Sequence, residues 1–253
     1  DTLLPMIRDR APNDRVVRSR TLRTTGLAES LIAERVECIE GGVPEATLAY
    51  LPNADGVELR LTVRDVSVVE ADRRLAAAAD PLRRVFARDI YGEGDTDLAA
   101  VVLDLCRGRD LTVAVGESCT GGLLGERLTR IPGASDVFVG GVIAYADRIK
   151  TALLGVPAAT IEAPGAVSEQ VARAMATGAR ERTGAAIGVG VTGIAGPDGG
   201  TPEKPVGTVW IAVDFAGEVK ASRLQSWGDR QEVRQRAAQA ALNLVRKMLS
   251  TES

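Results

Sequence analysis

The chain has 253 residues, with 31 lysines and arginines against 34 aspartates and glutamates, a net charge of −3 and no histidine. Interspersed, nearly balanced charge gives no electrostatic footprint for nucleic acid, and 3% aromatic residues leave few platforms for stacking bases, so direct nucleic-acid binding is disfavoured. The missing imidazole excludes Ser-His-Asp and Cys-His catalysis, and His-ligated zinc with them.

The three cysteines, Cys38, Cys106 and Cys119, form no CxxC pair and are odd in number, which suits a reducing compartment better than a secreted framework. No stretch reaches the roughly 18 apolar residues of a membrane span, and the N-terminus lacks a signal-peptide apolar core. A cytoplasmic protein without membrane contact is expected. The length suffices for one large or two modest domains burying about 70–75% of the unfolded surface.

Residues 1–17 begin with Asp1 rather than Met and mix Pro5, Pro12 and Asn13 with charges, which reads as a connector, the tail of something longer. Residues 18–92 read as a small α+β unit. Its pattern is a helix over Leu27 to Glu37, a strand Thr47 to Tyr50, the alternation Val57, Leu59, Leu61, Val63, and a helix from Val69 to Phe86. Tyr91-Gly92-Glu93-Gly94-Asp95 carries the turn residues of a linker. Over residues 93–253 helix and strand alternate: a helix to Cys106, a strand Leu111 to Val115, a helix Leu123 to Leu128, a strand Val137 to Tyr145 and a helix Ser168 to Arg182. Strands Ala186 to Val191, Gly207 to Phe215 and one through Leu224 follow, then a final helix Asp229 to Leu249. Such alternation predicts a layered α/β/α domain with its sheet between helices.

The strand ending at Val115 feeds directly into Gly116-Glu117-Ser118-Cys119-Thr120-Gly121-Gly122 and then a helix. The first N–H groups of a helix lack intrahelical partners and its dipole favours negative charge, so this junction is expected to hold an oxyanion or phosphate. Ser118 is a candidate nucleophile whose base must be a lysine, a tyrosine, a carboxylate or an ordered water. The alternative is a helix N-cap, a duty Thr120 could share. Cys119 competes for the nucleophile role, since thiols at helix starts acidify, but without histidine a buried structural cysteine is the better reading.

Three further clusters follow strands. Tyr145-Ala146-Asp147-Arg148-Ile149-Lys150 places a phenol at a strand end and an amine five residues on, able to meet Ser118 in one crevice; the alternative for Lys150 is a solvated charge on an exposed turn. Gly190 to Gly200, including Thr192, Gly193 and Gly196, has five glycines in eleven residues, which permit close approach of backbone to a ligand. It continues through Lys204 into the next strand. In Trp227-Gly228-Asp229-Arg230, Asp229 is an N-cap candidate and Arg230 offers a fork suited to phosphate, with a surface salt bridge as its alternative.

Together these clusters resemble the CinA family, the competence/damage-inducible proteins. The matching segments are Ala114 to Gly122, Gly133 to Ser135, Tyr145 to Lys150, Gly165 to Ser168, Thr192 to Gly200 and Lys204 to Thr208. Arg20 to Gly26 with Glu29-Ser30 resembles the start of the family's KH-like middle domain. The resemblance does not extend to the family's N-terminal domain, which resembles molybdopterin-binding proteins and is linked to ADP-ribose pyrophosphatase activity, so that activity is not assigned to this chain. The family motif usually reads Tyr-Ser-Asn-x-x-Lys; here Ala146 and Asp147 stand in the middle, which bears on the orienting contacts of that turn.

The resemblance implies a nicotinamide mononucleotide (NMN) amidohydrolase that needs no metal or cofactor and assembles as a homodimer. Ser118 would be the nucleophile, Lys150 and Tyr145 its proton-transfer partners, and Arg230 a contact to the mononucleotide phosphate. Cys119, Thr120, Gly121, Gly122, Thr192, Gly193, Gly196 and Lys204 would line the substrate, with N–H groups of Cys119 to Gly121 or Thr192 to Gly193 as the oxyanion hole. The rival reading is a non-catalytic nucleotide sensor or recombination-linked scaffold whose loops only bind a phosphate-bearing ligand.

Overall fold

The alternation Val57, Leu59, Leu61, Val63 puts every second side chain on one face of a strand, and that face needs helices to cover it. In the computed structural model, which describes residues 15–250, the chain divides at Asp95/Thr96 into two units. The first is a four-stranded antiparallel sheet ordered β2-β3-β1-β4, with β1 Arg15–Thr24, β2 Thr47–Asn53, β3 Gly56–Ser67 and β4 Ile90–Glu93. Helices α1 (Glu29–Glu37) and α2 (Val68–Val85) supply Ile32, Leu75 and Leu82 to a core shared with Leu22, Leu59 and Leu61.

Two expectations change here. Residues 15–17 of the supposed connector already belong to β1, because Arg15 and Val16 pair with Ser67 and Val66; residues 1–14 lie outside the described residues. The supposed linker from Tyr91 is also strand: Gly92 and Glu93 pair with Arg23 and Leu22, and Tyr91 is buried beneath the Arg23 guanidinium, 5.8 Å from its ring centroid. Gly92 lies in a short edge strand and the Gly94 N–H is bonded to Thr21 O, so the segment is no free tether.

The second unit is the α/β/α domain that the alternation predicted. Its sheet is ordered β6-β5-β7-β8-β9, from β5 Val113–Glu117, β6 Phe138–Ile143, β7 Ile187–Gly193, β8 Thr208–Phe215 and β9 Glu218–Gln225. Strands β5, β6 and β7 are parallel, and β8 and β9 continue antiparallel. The helices are α3 Leu98–Arg107, α4 Leu123–Thr129, α5 Asp147–Leu154, α6 Ala158–Glu162, α7 Glu169–Thr183 and α8 Arg230–Ser250. Ala114, Leu154, Val171 and Met175 form the core under α7. A Cβ on Gly188 or Gly190 would stand 2.0 or 2.3 Å from α7 carbonyl oxygens, so glycine there lets the helix lie against the sheet. The 21-residue α8 packs with α3 and α4 and against β7 and β8. Among the described residues no helix is long and apolar enough to cross a membrane, and no group of three or more His, Cys, Asp or Glu gathers as a metal site.

Candidate active site

β5 lies between β6 and β7: the chain passes from β5 to β6 on one side and then from β6 across β5 to β7 on the other, so the strand order reverses beside β5. Ligands of open α/β sheets bind outside the carboxyl ends of the strands at such a point. A cavity of about 230 Å³ lies there, lined by Ser118 and Cys119 after β5, Tyr145, Asp147 and Lys150 after β6, Thr192, Gly193 and Ala195 at the end of β7, and Arg230 opening α8. All four sequence clusters therefore contribute to one cavity.

Ser118 is held at both ends by backbone bonds: its N–H donates to Val191 O at 2.9 Å and its C=O accepts from Gly121 N–H at 3.1 Å. It is not the N-cap. That position is Gly122, at φ 95°, and the amides that open α4 are taken up by Glu117, whose buried carboxylate accepts from the N–H groups of Gly122, Leu124 and Gly125 at 3.0, 3.1 and 2.8 Å. The expected anion site at this helix start is thus filled by the protein's own carboxylate. Sequence reasoning missed Glu117; the available signal was an acid ending an apolar strand just before a helix start.

The neighbouring turn is structural. Thr120 is fully buried, and its carbonyl receives the Arg234 guanidinium through Nη2 at 2.8 Å and Nε at 3.2 Å. Gly121, at φ 60°, lies beside that guanidinium and its N–H is committed to Ser118, so it drops out of the oxyanion hole. Thr120, Gly121 and Gly122 shape the loop and do not line the cavity. Cys119 does line it, but burial pushes its thiol up to about 12, so the thiolate needed for nucleophilic attack is absent near neutral pH. Iodoacetamide on the folded protein is expected to label exposed Cys38 and spare Cys119 and Cys106, both buried, as counted by mass spectrometry; rapid labelling of Cys119 would overturn this reading.

Lys150 is not a solvated turn residue. Asp147 to Leu154, which the sequence reading left as a turn, is helix α5, and Lys150 on it is 2% exposed. Its Nζ donates to Asp147 Oδ1 at 2.9 Å and to the Tyr145 carbonyl at 3.2 Å. Asp147 was also missed, although an Asp-x-x-Lys spacing puts acid and amine on one helix face. The Tyr145 side chain turns elsewhere: it is 59% exposed and its Oη accepts from Arg230 Nη2 at 2.7 Å. Arg230 Nη1 donates to Gly196 O at 2.7 Å, and among the described residues no carboxylate pairs with Arg230, so the expected alternative of a surface salt bridge does not hold. Asp229 caps α8 as anticipated, in a reciprocal box: its Oδ1 accepts from Glu232 N–H at 2.9 Å and its N–H donates to Glu232 Oε2 at 3.0 Å.

Along β7, Val191 O faces β5, since it receives Ser118 N–H, whereas Ile194 N–H reaches Thr208 O on β8. Alternation then turns Thr192 N–H toward β8 and Gly193 N–H toward the β5 side, past the point where β5 has ended. Gly193 N–H is the amide of this pair directed at the cavity. The Thr192 hydroxyl donates to Ala166 O at 2.8 Å, tying the loop before α7 to the strand. Gly196 and Lys204 do not line the cavity: Gly196 offers its carbonyl to Arg230, and the Lys204 amine donates to Pro164 O, joining two surface loops.

Two profiles of one known family together cover most of the chain. The profile of the CinA C-terminal domain matches residues 95–249, and that of the damage-inducible protein CinA KH domain matches residues 19–92. The chain belongs to the CinA family. A CinA-like protein of Gemmatimonas aurantiaca is 58% identical over 254 residues, covering 100% of this chain and 59% of that protein. One of Salinibacter ruber is 46% identical over 235 residues, covering 92% of this chain and 57% of that protein. The chain thus spans under two thirds of the length of these relatives. Among solved structures, competence/damage inducible protein CihA from Agrobacterium tumefaciens aligns with TM-score 0.58 and 40% identity, over 60% of this chain and 93% of that one. A CinA superfamily protein from Escherichia coli aligns with TM-score 0.58 and 32% identity, over 60% of this chain and 88% of that one.

Proposed function

We propose that this chain hydrolyses the carboxamide of NMN, giving nicotinate mononucleotide and ammonia. The observation that carries the reading is one cavity lined by both Ser118 and the buried Lys150 in a chain without histidine. Two acceptors, Asp147 Oδ1 and Tyr145 O, fix the position of the Lys150 Nζ. In the proposed step the Lys150 amine takes the Ser118 proton as Oγ attacks the carboxamide carbon. The cationic pyridinium ring withdraws electrons from that carbon and eases attack. Gly193 N–H and the Cys119 amide are the donors for the developing oxyanion, each worth about 3–4 kcal/mol in such sites. The Lys150 ammonium then returns its proton so that ammonia leaves, and water releases the acyl group by the same relay.

Ammonia release from the purified chain given NMN tests the reading. Turnover that disappears with Ser118→Ala supports it. NMN binding without turnover in the unsubstituted protein leaves a nucleotide sensor instead.

Arg230→Ala is expected to raise KM for NMN about 10–100-fold with little change for nicotinamide riboside, since one charge-assisted hydrogen bond to phosphate is worth about 1.5–3 kcal/mol. Equal losses on both substrates would mean that Arg230 works through Tyr145 and Gly196, its present partners, and not through phosphate.

A further inference from the structure

Among the described residues that line the cavity, Asp147 is the one carboxylate, set against two cations, Lys150 and Arg230. Its Oδ1 accepts from Lys150 Nζ at 2.9 Å, while Oδ2 has no partner among the described residues. The Asp147 side chain is 55% exposed and that of Lys150 2%, so the carboxylate stands on the open side of the pair. Asp147 opens α5, where negative charge offsets the helix dipole, yet no side chain caps that turn and the carboxylate is not spent on helix amides. Tyr145 joins the two ends of the cavity. Its carbonyl takes Lys150 and its Oη takes Arg230, so the pair of Asp147 and Lys150 stands a tyrosine's length from the Arg230 fork. Such a wall matches a ligand with a cation next to its reacting amide and an anion further out.

We infer that Asp147 determines specificity as the counter-charge for a cationic ring, so that the site selects amides carried on an N-substituted pyridinium over neutral aromatic amides of the same shape. The inference rests on the NMN reading and follows from its charge balance. An amine that takes the Ser118 proton is itself uncharged at that moment, and Asp147 then keeps its negative charge with no cation in contact. A carboxamide carbon about 3–3.5 Å from Ser118 Oγ brings its ring into the cavity that Asp147 lines, and a pyridinium there takes the place of the ammonium as partner of the carboxylate. A neutral ring would cover that carboxylate without pairing it, which costs binding. Arg230 carries the same sign as the ring and is left for the phosphate. The asparagine usual in the family motif at this position accepts from the lysine equally well but offers no charge, so this chain discriminates by ring charge more sharply than an asparagine at 147 allows.

The test is a cycle with one arm on the protein and one on the ligand. The Ser118→Ala chain, in which turnover is removed, is titrated calorimetrically with NMN and with the C-nucleotide in which a neutral benzamide ring replaces the pyridinium and the ribose phosphate is kept. The same titrations are made with Asp147→Asn added, which keeps an acceptor for Lys150 Nζ and removes only the charge. Ser118→Ala is expected to prefer NMN by about 5–30-fold, the size of a charge pair at a half-exposed site. Asp147→Asn is expected to abolish the preference by weakening NMN, with the neutral ligand unchanged within about twofold. A residue that only holds Lys150 would lose equally on both ligands. Equal losses, or no preference for NMN before the substitution, overturn the inference and leave hydrolysis of NMN by the unsubstituted chain standing. No ammonia from NMN and the unsubstituted chain removes the hydrolase reading, and this inference with it.

Discussion

Lys150→Met is expected to lower kcat for NMN hydrolysis by about 10²–10⁴-fold, the usual contribution of a positioned general base. Methionine refills the space of the buried aliphatic stem without the amine, so the loss should come without collapse of the fold. Lys150→Arg is expected to fail equally, since a guanidinium does not deprotonate and its planar fork does not match the two acceptors that hold Nζ. No imidazole exists to substitute, and the Tyr145 phenol is engaged with Arg230. The measurement is kcat by ammonia release alongside a thermal melt for each variant. Near-normal kcat in a folded Lys150→Met or Lys150→Arg protein would remove Lys150 as the base. Another group, such as the Tyr145 phenol or a water held by Asp147, would then have to accept the serine proton.

Periodicity made most of the fold legible. Apolar runs such as Leu111 to Val115 and Ala186 to Val191 are buried on both faces of a parallel sheet and leave no other reading, and a residue following such a run belongs to the crevice at its end. That logic places Ser118, Tyr145, Thr192 and Gly193 at strand ends, where all four line the cavity. It failed where charge masks structure. Strand β1 reads RVVRSRTLRT, and because its exposed arginines break the apolar alternation its first residues read as connector. Strand β4 has four residues, two of them Gly92 and Glu93, and only its pairing with β1 makes it a strand. Within the site, which backbone groups are already taken is a tertiary fact. The glycines at 121 and 122 suggest open amides equally well whether an anion or Glu117 receives them. The direction of the Tyr145 ring, toward Arg230 and away from Lys150, follows from where β6 and α8 lie and is not written in Tyr-x-x-x-x-Lys. Asp147 differs from the family's usual asparagine, and it is the residue whose carboxylate holds the amine.

Glu117→Gln is expected to cost on the order of 3–5 kcal/mol, because a buried charge that accepts three amides is replaced by a group with one acceptor and one donor. The amide nitrogen would point at N–H groups it cannot accept from, and the negative charge that offsets the α4 dipole would be gone. For a domain of this size roughly 2–4 °C of melting temperature follows each kcal/mol, so a drop of about 10 °C is expected in a thermal melt. Glu117→Ala should fall at least as far, since all three amides lose their partner. Catalysis should suffer separately from stability. Glu117 precedes Ser118 directly, and its three bonds fix the turn that sets the Oγ position; a loosened turn misplaces the nucleophile while leaving the phosphate end of the site untouched. Assayed well below the variant's melting temperature, Glu117→Gln should therefore lose kcat with KM nearly unchanged. A variant that melts like the unsubstituted protein would show that the three amides find other partners, and with that the case for Glu117 as the internal cap of α4 would fail. A variant that melts early but keeps full kcat would keep the cap and separate it from the placement of Ser118, leaving Val191 O and Gly121 N–H as the contacts that hold the nucleophile.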